Sequence, residues 1–454
     1  MPRRPGCFRW KRPVVLFLAL FLAAPLHAED LLAVYRLALE KDPVLQAAAA
    51  ERRAVLESRA QARALLLPQF SVSADYTRDR NKVLDADSPF FRQETVHFWS
   101  RGYSLSLRQP VFNRAFFVQQ KQAAAIVKSA NARYAAARQD LIVRVANAYF
   151  QVLAARDNLE FARAEKNANQ RQLEQARQRF EVGLIAITDV HESQAAFDAA
   201  RAQEIEARNR LSSAREALRV ITGQYHEQLS PLAPKIPLLA PDPQDIDAWT
   251  RQALAENLGL IATEYQVESA REEVEQRRSG HYPTLDLAGS HRYSDVDDGF
   301  FGGRETEDSS IGFQLNLPIY EGGAVSSRVR EAVQRLEQAR DQLEQNRREV
   351  LRQTRDAYLS VISGIETVKA RKQAVISAQS ALEATEAGLE VGTRTTVDVL
   401  SVRRNLFRNK RDHAQARYNY ILDLLRLKQA AGTLSLADVE EINRWLRGSG
   451  RTED

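Results

Sequence analysis

From Arg114 to Val182 the chain contains neither glycine nor proline, and alanine, leucine, glutamine, glutamate and arginine dominate. All are good helix formers. Leu141, Val145, Ala148, Val152, Ala155, Leu159 and Ala162 step by four and three, which is the seam of a coiled coil. At 1.5 Å per residue the expected helix is roughly 100 Å long, more than three times the ~30 Å hydrocarbon thickness of a bilayer. Its polar composition does not tolerate lipid, so it must run through water. A comparable stretch, Ala324 to Val391, is free of proline and interrupted only by Gly364 and, in its last turn, Gly388.

Two such helices point to a duplication. Ala38-Leu39-Glu40 aligns with Ala253-Leu254-Ala255 at an offset of 215, and the same offset brings Leu67-Pro68-Gln69-Phe70 onto Tyr282-Pro283-Thr284-Leu285. Further on, Pro110-Val111-Phe112 meets Pro318-Ile319-Tyr320 at 208, and Glu181-Val182-Gly183 meets Glu390-Val391-Gly392 at 209. A period this long describes two large structural halves rather than a solenoid.

Each half carries a hairpin. Phe70, Val72, Ala74 and Tyr76 alternate with Ser71, Ser73, Asp75 and Thr77, and a strand returns through Tyr103, Leu105 and Leu107 after a polar loop from about Arg80 to Glu94. In the second half a strand from about Thr284 to Tyr293 is followed by Ile311, Phe313, Leu315 and Leu317, which alternate with Gly312, Gln314 and Asn316. The Asp- and Gly-rich stretch Ser294 to Asp308 reads as the loop between them. Strands of about ten residues with one apolar parity fit a tilted transmembrane strand, with Tyr76, Phe98, Trp99, Tyr103, Tyr293 and Phe313 as interfacial aromatics. Four strands cannot close a barrel, and an open edge is not tolerated in lipid. Several chains must therefore pool their strands.

Both long helices end at a glycine, Gly183 or Gly392, suited to the left-handed conformation after a helix C-terminus. Asp189 with Glu192, and Thr395 with Asp398, are capping candidates for the helices that return. The expected organisation is an export signal over 1–28, a first repeat over 29–223 and a Pro-rich connector over 224–244. A second repeat over 245–432 and a tail over 433–454 complete it. Within the repeats lie hairpins at 69–109 and 284–317, long helices at 114–182 and 324–391, and return helices at 190–222 and 397–431. Shorter helices are expected at 45–66 and 245–280.

Arg3, Arg4, Arg9, Lys11 and Arg12 precede the apolar run Val14 to Ala24, and Ala28 ends a secretory cleavage pattern. The formal charge of +5 resides in this segment; the remainder balances 59 basic against 59 acidic side chains, so charge gives no reason to expect a nucleic-acid partner. The one cysteine, Cys7, lies there too, which leaves the exported chain without disulfides.

At Arg179-Phe180-Glu181-Val182-Gly183-Leu184-Ile185-Ala186-Ile187-Thr188-Asp189-Val190 and at Gly392-Thr393-Arg394-Thr395-Thr396-Val397-Asp398-Val399-Leu400 the chain resembles the TolC family of outer-membrane efflux and secretion ducts. The Pro-aromatic segments after the hairpins, Arg417-Tyr418-Asn419-Tyr420 and Ala431-Gly432-Thr433-Leu434 fit the same family. The resemblance implies a homotrimer, mainly α with membrane β. Its twelve-stranded transmembrane β-barrel, four strands per chain, continues as a periplasmic α-helical coiled-coil barrel girdled by an equatorial domain that includes the tail. It also implies outer-membrane lipid, a periplasmic adaptor, and an inner-membrane efflux pump or ABC secretion ATPase as partners.

The family's closed tunnel end implies that Arg394 pairs with Asp189 of a neighbouring chain to form the periplasmic gate. Arg394 falls opposite Ile185 in the repeat, so only one turn carries the cation. Leu389 stands where some members have a tyrosine of the closing network, and Ser401 where they have a second carboxylate. Asp398 is expected at the pore constriction, as a ring of carboxylates favouring cations.

An enzyme would need a convergent constellation. His97, His191, His226, His281, His291 and His413 form no metal-ligand pair at helical spacing, and neither a nucleophile elbow nor a phosphate-binding glycine loop is present. No catalytic residue, cofactor or metal site is expected. The rival reading is a soluble periplasmic coiled-coil adaptor or scaffold with its hairpins in a water-soluble domain.

Overall fold

The computed structural model describes residues 28–82, 84–85, 95–299 and 302–447. Except for Ala28, the export segment lies outside the described residues, as do most of the first hairpin loop and the end of the tail. In chain order the elements are α1 (Leu31–Lys41), α2 (Pro43–Ala64), β1 (Gln69–Lys82), β2 (Thr95–Phe112), α3 (Arg114–Glu181) and α4 (Ile187–Thr222). They continue with α5 (Ile246–Glu256), α6 (Leu258–Arg278), β3 (Thr284–Gly299), β4 (Gly302–Asn316), α7 (Ala324–Glu390), α8 (Thr396–Ala430) and α9 (Leu436–Asn443).

The duplication extends to individual caps. Asp42 separates α1 from α2, and its Oδ2 accepts the Leu45 N–H at 2.8 Å ahead of Pro43 at the first helical position. Asn257, 215 residues on, separates α5 from α6 and accepts the Leu260 N–H at 3.0 Å. The single helices expected before each hairpin are therefore pairs, because these Asx side chains take a backbone donor from the helix ladder.

The four strands form one antiparallel sheet in the order β1-β2-β3-β4. The repeats join through β2 and β3, with Tyr103 opposite Tyr293, and β1 and β4 are left as edges. The strands are longer than their alternation predicts: β3 and β4 pair from Thr284 opposite Asn316 to Gly299 opposite Gly302. Most of the stretch expected as a loop over 294–308 is thus strand. Near its outer end both faces are polar, so the period-two signal disappears while the backbone ladder continues. Register also removes Phe98 from the aromatic set. It pairs with Asp79 on the face opposite Trp99, Tyr103 and Tyr76.

α3 with α4 and α7 with α8 form two antiparallel coils, and α3 also packs on α6 and α8. The main core lies partway along the long helices, where Leu141, Val145, Tyr149 and Leu153 of α3 meet Leu31 and Val34 of α1, Tyr420 and Leu425 of α8, and Ile442 of α9. The connector is bolted onto this core through its backbone. Tyr149 donates to the Ser230 carbonyl at 2.9 Å, Arg156 to the Leu229 carbonyl at 3.0 Å, Tyr420 to the Leu239 carbonyl at 3.0 Å, and Arg417 to the Ala233 carbonyl. Five prolines leave the connector short of donors, and these side chains hold it by its carbonyls. Some of its remaining donors are also used: Ser230 and Ala233 N–H bond to the Glu29 and Trp445 carbonyls and Leu239 N–H to the Tyr420 hydroxyl.

Candidate functional site

The sheet has two chemically different faces. Phe70, Val72, Ile311 and Phe313 share one face and are each about 70% exposed in the single chain. So much contiguous apolar surface marks contact with lipid. The other face carries hydroxyl ladders: Ser71 to Ser106 at 2.6 Å, Ser73 to Ser104 at 2.8 Å, Thr77 to Ser100 at 2.6 Å and Ser290 to Ser310 at 2.9 Å. These short side chains satisfy one another across strands and leave a wettable wall with room beside it.

At the far end of the coils the two turns have the same backbone. Gly183 and Gly392 both sit at φ +78°. Gly183 N–H bonds to the Phe180 carbonyl at 2.9 Å and Leu184 N–H to that of Arg179 at 2.8 Å. Gly392 and Thr393 repeat the pattern to Leu389 and Gly388 at 3.2 and 2.9 Å. This double bond is the Schellman stop, whose left-handed residue favours glycine.

The helices that follow start differently. Thr395 caps α8: its Oγ1 accepts the Asp398 N–H at 3.2 Å, while Asp398 Oδ2 accepts the Thr395 N–H at 3.0 Å and hydroxyl at 2.9 Å. The Thr395 backbone N–H, then its hydroxyl, hold the Asp398 carboxyl below the usual carboxylate range. The expectation that Asp189 caps α4 with Glu192 does not hold. α4 begins at Ile187 with Ala186 as N-cap and no side-chain cap, and Asp189 sits inside its first turn. Ala186 occupies the place of Thr395 in the repeat, so Asp189 has no hydroxyl to engage.

Arg394 is exposed and makes no side-chain ion pair within its chain among the described residues, and neither does Asp189. The structure does not bring them together in one chain, and both remain available to a neighbour. Arg394 lies across the last turn of α7, where a Cβ added at Gly388 would stand 2.7 Å from its Cγ. Leu389 packs beside Leu382, Val399 and Leu406, and Ser401 is exposed on α8.

Sequence reasoning missed Arg403. It is nearly buried on α8, donates to Glu386 of α7 at 2.7 Å and to the Ala168 carbonyl of α3 at 3.4 Å, and so ties the two coils of one chain together. A cation on an otherwise apolar seam, five residues after Asp398, was the available signal. Along the same seam Tyr418 donates to Asp157 at 2.6 Å, and Arg411 stands 3.6 Å from Glu165, whose carboxyl burial pushes up. Among the described residues no group of His, Cys, Asp and Glu is arranged to hold a metal, and no helix is long and apolar enough to cross a membrane.

A lipid-facing sheet with open edges, a wettable opposite face and ~100 Å helices in water define a multimeric outer-membrane channel protein. The chain belongs to the outer membrane efflux protein family, whose model matches residues 34–224 and 249–433, one span per repeat. It is 41% identical over 429 residues to the outer membrane protein TolC of Vibrio cholerae, covering 94% of this chain and 96% of that one. It is 34% identical over 423 residues to the alkaline protease secretion protein AprF of Pseudomonas aeruginosa, covering 93% and 88%. The fold matches the CmeC outer membrane channel of Campylobacter jejuni with a TM-score of 0.77 at 17% identity, over 93% of this chain and 91% of that one. The protein is an outer-membrane exit duct: its sheet is one third of a trimeric barrel and its helices form the periplasmic tunnel.

Proposed function

We propose that the homotrimer is a passive conduit that receives cargo from an inner-membrane efflux pump or ABC secretion ATPase through a periplasmic adaptor. The observation that carries this reading is the pairing of an apolar outer sheet face with coils that end in exposed apolar tips. Val182, Leu184 and Val391 are each 70% or more exposed at the two turns, an anchor for adaptor helices. The lumen face, hydroxyls interspersed with charges of both signs such as Asp75, Asp79, Arg292 and Asp308, hydrates polar and charged solutes alike, which leaves cargo choice to the pump. A soluble scaffold, by contrast, would leave Phe70, Val72, Ile311 and Phe313 in water.

In the closed state Arg394 pairs with Asp189 of the next chain, and Asp398, repeated by symmetry, narrows the pore as a carboxylate ring at the level of Ser401. Leu389 supports the turn by packing where a hydroxyl-bearing ring would bond. Two measurements test the reading. The protein should sediment with outer membranes and resist carbonate extraction; release by carbonate would refute a membrane-spanning barrel. In planar bilayers, Asp398→Ala should lower cation preference at low salt, and unmoved reversal potentials would remove Asp398 as the selectivity element.

The pH dependence follows from the cap. A carboxylate with a depressed folded pKa contributes stability above its unfolded value of about 3.9 and loses it only as pH falls through the lower folded value. In the ring the cap opposes the upward push of the two neighbouring carboxylates, so Thr395→Val should make cation preference fade at a higher pH than in the unchanged trimer, as read from reversal potentials across about pH 3–6.

A further inference from the structure

On the α3–α4 coil, beside the connector, lies a cleft of about 690 Å³ that the conduit does not use. Arg156 and Arg163 line it from α3, Arg208 and Arg215 from α4, with Tyr225 at one end and Glu160 as its one carboxylate among the described lining residues. Asp157 and Ala168, which meet Tyr418 and Arg403 of α8, lie on the other flank of α3 at 100° per residue. The cleft therefore faces away from the seam between the coils. At 1.5 Å per residue it stands roughly 65 Å along α3 from the barrel.

Its cations are under-used. Arg215 rests over the Tyr225 ring at 5.9 Å and gives one N–H to the Glu227 carbonyl at 3.0 Å, yet its Nε is buried without a hydrogen-bond partner. Arg156 donates to the Leu229 carbonyl alone. Arg163 and Arg208 share Glu204 with Lys166, at 3.4, 2.9 and 2.8 Å. Lys166 first, with Arg208 and Arg163, pulls the Glu204 carboxyl down to about 2, which shows what this ground does to an oxyanion. Each guanidinium offers five donors and no acceptor, and the four lining arginines with Lys166 meet three carboxylates, Glu160, Glu204 and the Asp157 beside Arg156. The surplus is unmatched positive charge beside a buried free donor.

We propose that this cleft binds a multiply charged oxyanion, carboxylate or phosphate, on the connector-side flank of the periplasmic coil. Guanidinium forks match the two-oxygen edge of either group, and the spread of four arginines favours an anion with more than one such edge. The site is independent of the gate and its occupancy does not require transport.

The test is calorimetric titration of the detergent-solubilised trimer with citrate and, separately, with inorganic phosphate, in chloride buffer of constant ionic strength. One saturable site per chain is expected for at least one probe, and the better probe identifies the class. Arg156→Gln combined with Arg215→Gln should weaken binding at least tenfold. Because Arg215 also holds the connector, Arg163→Gln, which touches no connector backbone, serves as second variant and should weaken binding severalfold with an unchanged melting profile. No saturable heat with either probe up to about 10 mM, or binding by both variants as tight as that of the unchanged protein, overturns the proposal.

Discussion

Arg394→Ser should raise single-channel conductance severalfold and lengthen open dwell times. An exposed ion pair contributes only ~0.2–1 kcal/mol, but three symmetric copies act on one gate. Together they bias closure by about 0.6–3 kcal/mol, roughly three- to 150-fold in the closed-to-open ratio. Unchanged conductance would rule out the salt-bridge gate. Gly388→Ala provides an independent approach to the same side chain. Its Cβ would meet Arg394 Cγ at 2.7 Å and Thr393 Oγ1 at 3.3 Å, so Arg394 must leave its place. Alanine favours the helix by about 1 kcal/mol, so this variant should leak more while its coil tip becomes no less stable. A general loosening of the tip predicts the opposite pairing.

Gly432→Ala should prevent the trimer from accumulating, or lower its melting temperature far more than a tip substitution does. Gly432 follows α8 at φ +81°, and an added Cβ would stand 2.1 Å from the Glu256 carbonyl oxygen and 2.5 Å from its carbon. Both obstacles are backbone at the break between α5 and α6. That break is itself pinned, because Asn257 donates to the Ala430 carbonyl at 2.9 Å and Gln139 to the Gly432 carbonyl at 2.8 Å. Moving either strand of chain breaks these bonds, and a cost above ~4 kcal/mol is expected. Gly183→Ala is the matched control. Its φ of +78° is nearly the same, but nothing lies within 4 Å of the added carbon, so only the ~1–2 kcal/mol of left-handed strain applies. Equal melting temperatures for the two variants would show that the Glu256 contact is not tight in solution.

The long helices were legible because a chain free of glycine and proline with a repeated heptad seam has few alternatives. The tandem repeat was legible from four ordered landmarks, and the Thr395 cap from its three-residue spacing to Asp398. Asp189 misled because the same spacing, to Glu192, exists without the helix start it implies; Ala186 removes the hydroxyl, and the helix begins earlier on backbone geometry alone. Strand length was hidden by Asp295, Asp297, Glu305 and Glu307, which put charge on the outward parity beyond the apolar band. Arg403 offered a signal, a cation on an apolar seam, but its role was not legible, because Glu386 and the Ala168 carbonyl are brought to it only by the packing of α7 and α3 against α8.

The bare edges of β1 and β4 have a consequence for the life of the protein before assembly. A newly exported chain has no safe resting state in water, since its sheet offers two unpaired hydrogen-bonding rims beside an exposed apolar band. Folding and oligomerisation are then a single event whose equilibrium depends on chain concentration. Excess or slowly assembling chains should be prone to aggregation and open to periplasmic proteases, so the cell's supply of finished ducts is governed by how quickly three copies meet.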